Sequence, residues 1–297
     1  MSATTSYSST LAESELRSLL LRYRQENWQG IQTAENQEKV VEDILQSGCE
    51  QVLDSMAPYF VPLRDAKILD IGSGVGSFVA GCRNRGFTAY GVEPDRIGAG
   101  AGLTSIQIAA HRLQESVFVS GVGECLPFAD KTFDLISLNQ VIEHVANQQA
   151  VIREAARALK PGGAMYVACP NYLRFYEPHY KIVWLPMMPR SLGSLYLRVR
   201  GRNPVMLHQL TYTTNRGLKR LLQSLGKGYL VLDLHREDFL RKLNAESFAS
   251  MPAKFIAKLI RVPVLGALLK ALVLLYIRIR EGGCAMVVLR KPGEILN

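Results

Sequence analysis

"KILDIGSGVGSF", residues 67–78, runs from apolar positions to an acid, Asp70, and then through three glycines at alternate positions. "AKILDI" reads as a short buried strand, and residues 76–85 as a helix that ends near Gly86. Gly72, Gly74 and Gly76 allow a tight turn and close approach of another group to bare backbone. A strand, a glycine turn and a helix N-terminus in succession form the place where doubly wound sheets take their ligands.

The same alternation continues outward. "TAYGVE" is a second strand, residues 96–113 a helix, "SVFVSG" a third strand and "FDLISLN" a fourth. "VANQQAVIREAARALK" follows as a helix and "GAMYVACP" as a fifth strand. Strands separated by helix-length segments predict a mostly parallel sheet covered on both faces. Residues 11–26 and 35–57 show helical spacing and read as covering helices ahead of the sheet. Residues 171–210 break the pattern with aromatics, Pro, Met and Arg, and residues 213–226 return to helix with Thr213 or Thr214 as N-cap. "GYLVLDLH" and "GGCAMVVLRK" are two more strands. The segment between them, 236–281, is too long for a hairpin loop and must carry structure of its own.

Glu93 closes the second strand, where a carboxylate can accept both hydroxyls of a ribose, and Pro94 turns the chain away from it. A glycine turn with an acid about 20 residues on also suits a dinucleotide. Two details point elsewhere. Ser77 stands where the pyrophosphate fingerprint would place its last glycine, and the charge of Asp70 repels a pyrophosphate but attracts a cation. A ligand with adenosine at one end and an ammonium and a sulfonium at the other fits both acids: S-adenosylmethionine.

"ILDIGSGVGSF", "GVEPD", "GECLPFADKTFDLISLNQVIEHV" and "LKPGG" occur in order. Over roughly residues 60–170 the chain resembles the class I S-adenosylmethionine-dependent methyltransferases, especially the small-molecule type that includes the ubiquinone/menaquinone methyltransferases. The resemblance implies an α/β fold: a doubly wound, Rossmann-like, seven-stranded, mostly parallel sheet whose last strand is antiparallel, here with N-terminal helices and a helical cap from insertions. It implies that Asp70, Gly72, Ser73, Gly74 and Gly76 face the methionine part of the cofactor. Glu93 and Pro94 lie by the ribose, Gly123, Glu124 and Cys125 at the adenine edge with Leu126 near the ring, and Asn139 and Gln140 as a shelf below the sulfonium. Val122 departs from the pattern, since members of the family often carry an Asp there.

Methyl transfer is an in-line displacement, and a hydroxyl or amine acceptor must also lose a proton. Three residues are candidates for that work: His144 in "VIEHV", and Glu177 and His179 in "EPHY", just past the fifth strand where an acceptor would approach. Tyr172, Tyr176, Tyr180 and Trp184 are candidates to contact the acceptor, with ordinary packing as the alternative. Oxygen is the expected acceptor atom. Carbon or nitrogen, a nicotinamide-dependent oxidoreductase and a non-catalytic cofactor-binding protein are the alternatives.

The net charge of +9 is unevenly placed. Residues 181–297 hold 20 Lys/Arg and 6 Asp/Glu, hence +14, against 15 and 20, hence −5, in residues 1–180. An anionic partner or a solvated basic surface would each account for this. Residues 252–280 combine apolar runs with Lys254, Lys258 and Arg261 on one helical face, and Lys270 interrupts any spanning length. The segment reads as contact with an anionic membrane surface, as a lid on the pocket, or as a homodimer interface. No RNA-binding module is recognisable, so nucleic acid is not expected as a partner. The start of the chain lacks the basic and apolar regions of a signal peptide. The five cysteines, at 49, 82, 125, 169 and 284, form no C-x-x-C pair. They read as reduced thiols of a cytoplasmic protein, with no metal site expected. The expected divisions are a helical extension (1–59), the cofactor-binding half (60–171), a substrate cap (172–212), a core helix and strand (213–235), an apolar basic insertion (236–281) and a last strand with tail (282–297).

Overall fold

A computed structural model describes residues 13–27, 34–46, 48–94, 105–113, 117–245 and 283–291. The seven strands of the main sheet are β1 (Lys67–Ile71), β2 (Thr88–Glu93), β3 (Phe118–Ser120), β4 (Phe133–Asn139), β5 (Leu159–Pro170), β8 (Tyr229–Asp233) and β9 (Gly283–Arg290), in the order β3-β2-β1-β4-β5-β9-β8. β9 is antiparallel to both of its neighbours, and the pairs among β1 to β5 are parallel. The last strand is therefore antiparallel, as the resemblance implied, and it inserts between β5 and β8.

Adjacent residues of a strand face opposite sides. Ile68 and Leu135 point into one core with Val79, Cys82 and Met56, while Leu69 and Ile136 point into the other with Val151, Ile152, Leu218 and Leu222. Helices α3 (Glu50–Met56) and α4 (Ser77–Asn84) cover the first face; α6 (Gln148–Ala158) and α9 (Asn215–Gln223) cover the second. The chain leaves β1 for β2 on one side and reaches β4 on the other, so the carboxyl ends of β1 and β4 part around a crevice. That crevice positions everything below.

Three expectations are corrected. The helix expected over 35–57 is two, α2 (Ala34–Gln46) and α3, parted near Gly48. The cause is distant: a Cβ on Gly81 of α4 would stand 2.5 Å from the Cys49 backbone nitrogen and 2.7 Å from Gly48 Cα, so two backbones touch there. Alanine in place of a helical glycine ordinarily stabilises by about 1 kcal/mol. Gly81→Ala is instead expected to destabilise by ~1–3 kcal/mol, since backbone cannot step aside as a side-chain tip can; a urea unfolding midpoint measures it. Second, β5 begins at Leu159 rather than at Gly163 and takes in the motif "LKPGG", with a register shift against β4 between Phe133 and Leu135. Third, the helix expected over 145–160 is shorter, starting at Gln148 behind the N-cap Asn147, whose side chain accepts from Ala150 N–H. Helix α9 begins behind Thr214, one of the two caps foreseen.

The N-terminal helices α1 (Glu13–Asn27) and α2 pack with Val75 of the glycine turn and Ile108 of α5 (Ser105–Leu113). Residues 176–209 form a cap of a short hairpin, β6 (Tyr176–Glu177) and β7 (Ile182–Val183), with helices α7 (Arg190–Val199) and α8 (Val205–Gln209). Helix α10 (Leu234–Ala245) follows β8 without a loop and opens the long insertion. Residues 252–280, with Lys254, Lys258, Arg261 and Lys270, lie outside the described residues. Among the described residues no helix is long and apolar enough to cross a membrane.

Candidate active site

The turn after β1 is held by the end of β2. The N–H groups of Gly72 and Ser73 both donate to Val92 O, at 2.8 and 3.1 Å, and Gly74 N–H donates to Glu93 Oε2 at 3.0 Å. Gly72 and Gly74 have φ of +72° and +50°, in the left-handed region that favours glycine. A Cβ on Gly72 would also lie 2.4 Å from Val141 Cγ2, which packs the segment after β4 against the turn. A Cβ on Gly74 would lie 2.8 Å from Tyr23 Oη, so α1 covers the turn from outside.

Asp70, one residue before the end of β1, is almost fully buried. Burial pushes its carboxyl up to about 7; Ser137 pulls the other way, and the nearby Glu93 adds to the rise. Ser73 Oγ is buried beside the turn without a hydrogen-bond partner. A carboxyl kept from ionising by burial gains most from a cation brought against it. Together with the half-buried Glu93, the turn offers acceptors for an ammonium and for hydroxyl donors, and its two acids disfavour a pyrophosphate. The residues present fit the cofactor expected from the sequence.

The expected adenine-edge loop is a tight turn in which Cys125 N–H donates to Val122 O. Leu126 is buried, and Cys125 is exposed. Gly123 packs against Ile71 and Val151. Glu124 Oε1 accepts the N–H groups of Ala146 and Asn147, which ties this loop to the start of α6. Asn139 and Gln140 stand exposed at the end of β4. Gln140 has a φ of +61°, a costly conformation for a side-chain-bearing residue, and its N–H donates to Ala168 O at 2.8 Å. This shelf lines a cleft of ≈ 640 Å³ that also meets Tyr59, Tyr166, Pro178 and Arg241.

Beside the cleft, neighbouring strands bring two segments together. The segment after β4 carries Glu143 and His144, and the segment after β5 carries Tyr172, Glu177 and His179. Glu177 is fully buried: Oε1 takes His179 Nδ1 at 2.7 Å and Tyr172 O–H at 3.5 Å, and Oε2 takes Tyr180 N–H at 2.7 Å. Glu177 thus holds the His179 ring by its Nδ1 side, which fixes the ring's orientation. The rings of His179 and His144 meet edge to face at 5.2 Å. Glu143, which sequence reasoning passed over, is fully buried, and neither carboxylate oxygen has a hydrogen-bond partner. Burial pushes its carboxyl up to about 7. Its only sequence signal is an acid directly before His144 in "VIEHV", and that pattern says nothing about burial.

The four aromatic candidates are distributed unevenly. Tyr172 is buried and stacks on Tyr212 at 4.3 Å. Tyr180 and Trp184 lie inside the cap's own core with Ile182, Met188, Leu197 and Leu207. Tyr180 Oη donates to Asn203 O and accepts Leu207 N–H. Tyr176 is exposed.

The family described as "Methyltransferase domain" matches residues 41–229. A protein named ubiquinone biosynthesis O-methyltransferase from Chelativorans sp. (strain BNC1) is 30% identical over 178 residues, covering 52% of this chain and 68% of that protein. An uncharacterized methyltransferase from Mycolicibacterium vanbaalenii is 31% identical over 139 residues, 46% of this chain and 52% of that one, so the chain spans about half of that relative's length. Among solved structures, a phosphoethanolamine N-methyltransferase 2 from Haemonchus contortus with phosphomonomethylethanolamine and S-adenosylhomocysteine is 14% identical. It covers 93% of this chain and 57% of that chain, with a TM-score of 0.48.

Proposed function

The chain belongs to the methyltransferase-domain family, and on that premise we propose that it moves a methyl group from S-adenosylmethionine to a hydroxyl oxygen of a small or lipid-like acceptor. The observation that carries the reading is the buried Asp70 beside the glycine turn, near enough to Glu93 to feel its charge, while Glu93 itself takes the Gly74 N–H of that turn. S-adenosylmethionine supplies, when bound, a sulfonium-activated methyl group. Asp70 and the backbone of Gly72 and Gly74 take its methionine end, with Ser73 and Gly76 shaping the turn. Glu93 and Pro94 take the ribose side, Gly123, Glu124 and Cys125 border the adenine, and Asn139 and Gln140 separate the cofactor from the acceptor cleft.

The acceptor lies in the cleft beyond that shelf, with its oxygen toward His179 and His144. Glu177 holds His179 in one tautomer and orientation, so the ring is set before the acceptor arrives. Tyr172 and Tyr180 hold Glu177 in turn, while Tyr176 and the Trp184-bearing cap border the approach. Oxygen is favoured by the polar character of this cluster and by the name of the Chelativorans relative.

The test has two stages. Calorimetry of the full chain with S-adenosylhomocysteine is expected to show one site. Methyl-labelled S-adenosylmethionine, incubated with a panel of phenols, catechols, carboxylic acids and amines, is expected to leave label on an oxygen. Absence of binding to well-folded protein would overturn the cofactor assignment, and label carried only on nitrogen would overturn the acceptor assignment.

A further inference from the structure

We propose that a recess at the amino end of the sheet, opposite the crevice, binds a phosphate ester through Lys131, Arg153 and Arg290. The recess has a volume of ≈ 390 Å³, enough for a small organic molecule. Lys131 stands just ahead of β4 and Arg153 on α6. Arg290, near the end of β9, pairs in register with Tyr229 at the start of β8. The length of β4, about 20 Å, separates this end of the sheet from the crevice. The site is therefore distinct from the cofactor turn and the acceptor cleft, and it does not rest on the methyltransferase reading.

Three observations favour an anion here. The first is the balance of charge. Lys131, Arg153, Arg157 and Arg290 line the recess against one acid, Asp130. Asp130 pairs with Arg157 at 2.7 Å, and Arg157 also holds Glu154 at 2.8 Å. Among the described residues no carboxylate pairs with Lys131, Arg153 or Arg290, so three positive charges border one space. The second is Arg290 itself. It is 6% exposed, its Nη1 donates to the carbonyls of Ala156 and Leu159, and its guanidinium lies 5.9 Å from the centre of the Tyr229 ring. These neutral partners orient the group but do not balance its charge, and a buried cation without a counter-ion is costly. A bound anion removes that cost. The third is the wall: Leu225 and Tyr229 border the same space and offer apolar surface to an organic part.

A phosphate ester meets all three. Its two negative charges match the surplus better than the single charge of a carboxylate, and a guanidinium presents paired donors that suit phosphate oxygens. A soluble phosphate ester and the phosphomonoester headgroup of a lipid share this chemistry. The cations come from a turn, a helix and a strand that are distant in sequence, so the uneven charge along the chain could not have located them.

The experiment uses the full chain at low ionic strength. Ribose 5-phosphate and inorganic phosphate are titrated by calorimetry, with and without S-adenosylhomocysteine. Phosphatidylcholine vesicles, plain or carrying phosphatidic acid, are tested by pelleting. One saturable site for ribose 5-phosphate is expected, tighter than for inorganic phosphate and unaffected by S-adenosylhomocysteine. Arg153→Glu and Lys131→Gln alter exposed side chains and spare the core. Each is expected to weaken binding, Arg153→Glu by roughly ten-fold or more. Pelleting with phosphatidic acid that Arg153→Glu abolishes, without heat from ribose 5-phosphate, assigns the same recess to a lipid headgroup. Binding that both substitutions leave unchanged, or that S-adenosylhomocysteine displaces, overturns the assignment to this recess. Heat that never saturates, together with vesicles that fail to pellet the chain, means an adventitious ion only and overturns the site.

Discussion

Asp70→Asn is expected to weaken S-adenosylhomocysteine binding by roughly 10- to 150-fold, the loss of one charge-assisted hydrogen bond. The same change is expected to stabilise the ligand-free protein at neutral and alkaline pH. The reason is burial. The Asp70 carboxyl is pushed from 3.8 to about 7 in the folded chain. Between those values the folded protein holds a proton that the unfolded chain has released. Asp70's contribution to stability is therefore fully present below about 3.8 and is lost as the pH rises to about 7, a difference of a few kcal/mol. Asn has no such proton to lose. Urea midpoints of the two proteins should diverge as the pH rises through this window. The cofactor's ammonium reverses the balance, because it favours the ionised carboxylate. The thermal shift produced by S-adenosylhomocysteine in the unsubstituted protein should thus grow from about pH 6 to about pH 8. Parallel pH profiles for the two proteins would remove Asp70 from the site.

His179→Ala is the second large effect. A ~10²–10⁴-fold fall in turnover is expected, the range for removing a group that manages the acceptor's proton, with S-adenosylhomocysteine affinity unchanged. The separation follows from position: His179 stands on the segment after β5, and the cofactor turn follows β1. His179 is buried, and its loss leaves Glu177 Oε1 with only the long bond from Tyr172 O–H. A stability loss of ~1–3 kcal/mol accompanies the substitution, so turnover is compared at a temperature where both proteins are folded. Glu177→Gln keeps the volume and a weaker hold on the ring, and should lie between the two. Equal turnover and equal KM for His179→Ala and the unsubstituted chain would place the acceptor elsewhere.

Much of the fold was readable before any coordinate. Apolar runs of strand length at regular intervals are local signals, and the turn at Gly72–Gly76 needs positive φ that only particular residues supply cheaply. The acid at the end of β2 could be expected beside the glycine turn, where it does take the Gly74 N–H, because strand ends in such sheets converge on one crevice. The break between α2 and α3 was hidden, because its cause is the backbone of α4 crossing at Gly48 and Cys49. Trp184 and Tyr180 look alike as pocket linings and as core, and their shared cluster with Leu197 and Leu207 depends on how the cap folds on itself.

The chain's own order of residues determined the alternating sheet, the glycine turn, the pairing of Asp70 with Glu93 and the family resemblance, since each follows from spacing within one strand–turn unit. Tertiary structure alone decided which polar groups lost their water. Glu143 reads as an ordinary acid until β4 and β5 lie side by side and leave it buried, without a hydrogen bond, close to two histidines. Glu124 stands in a loop whose second tie the sequence does not show: the N–H groups of Ala146 and Asn147, just ahead of α6, donate to one of its oxygens. Desolvation is a property of everything that surrounds a group, and most of what surrounds these residues is far away in sequence.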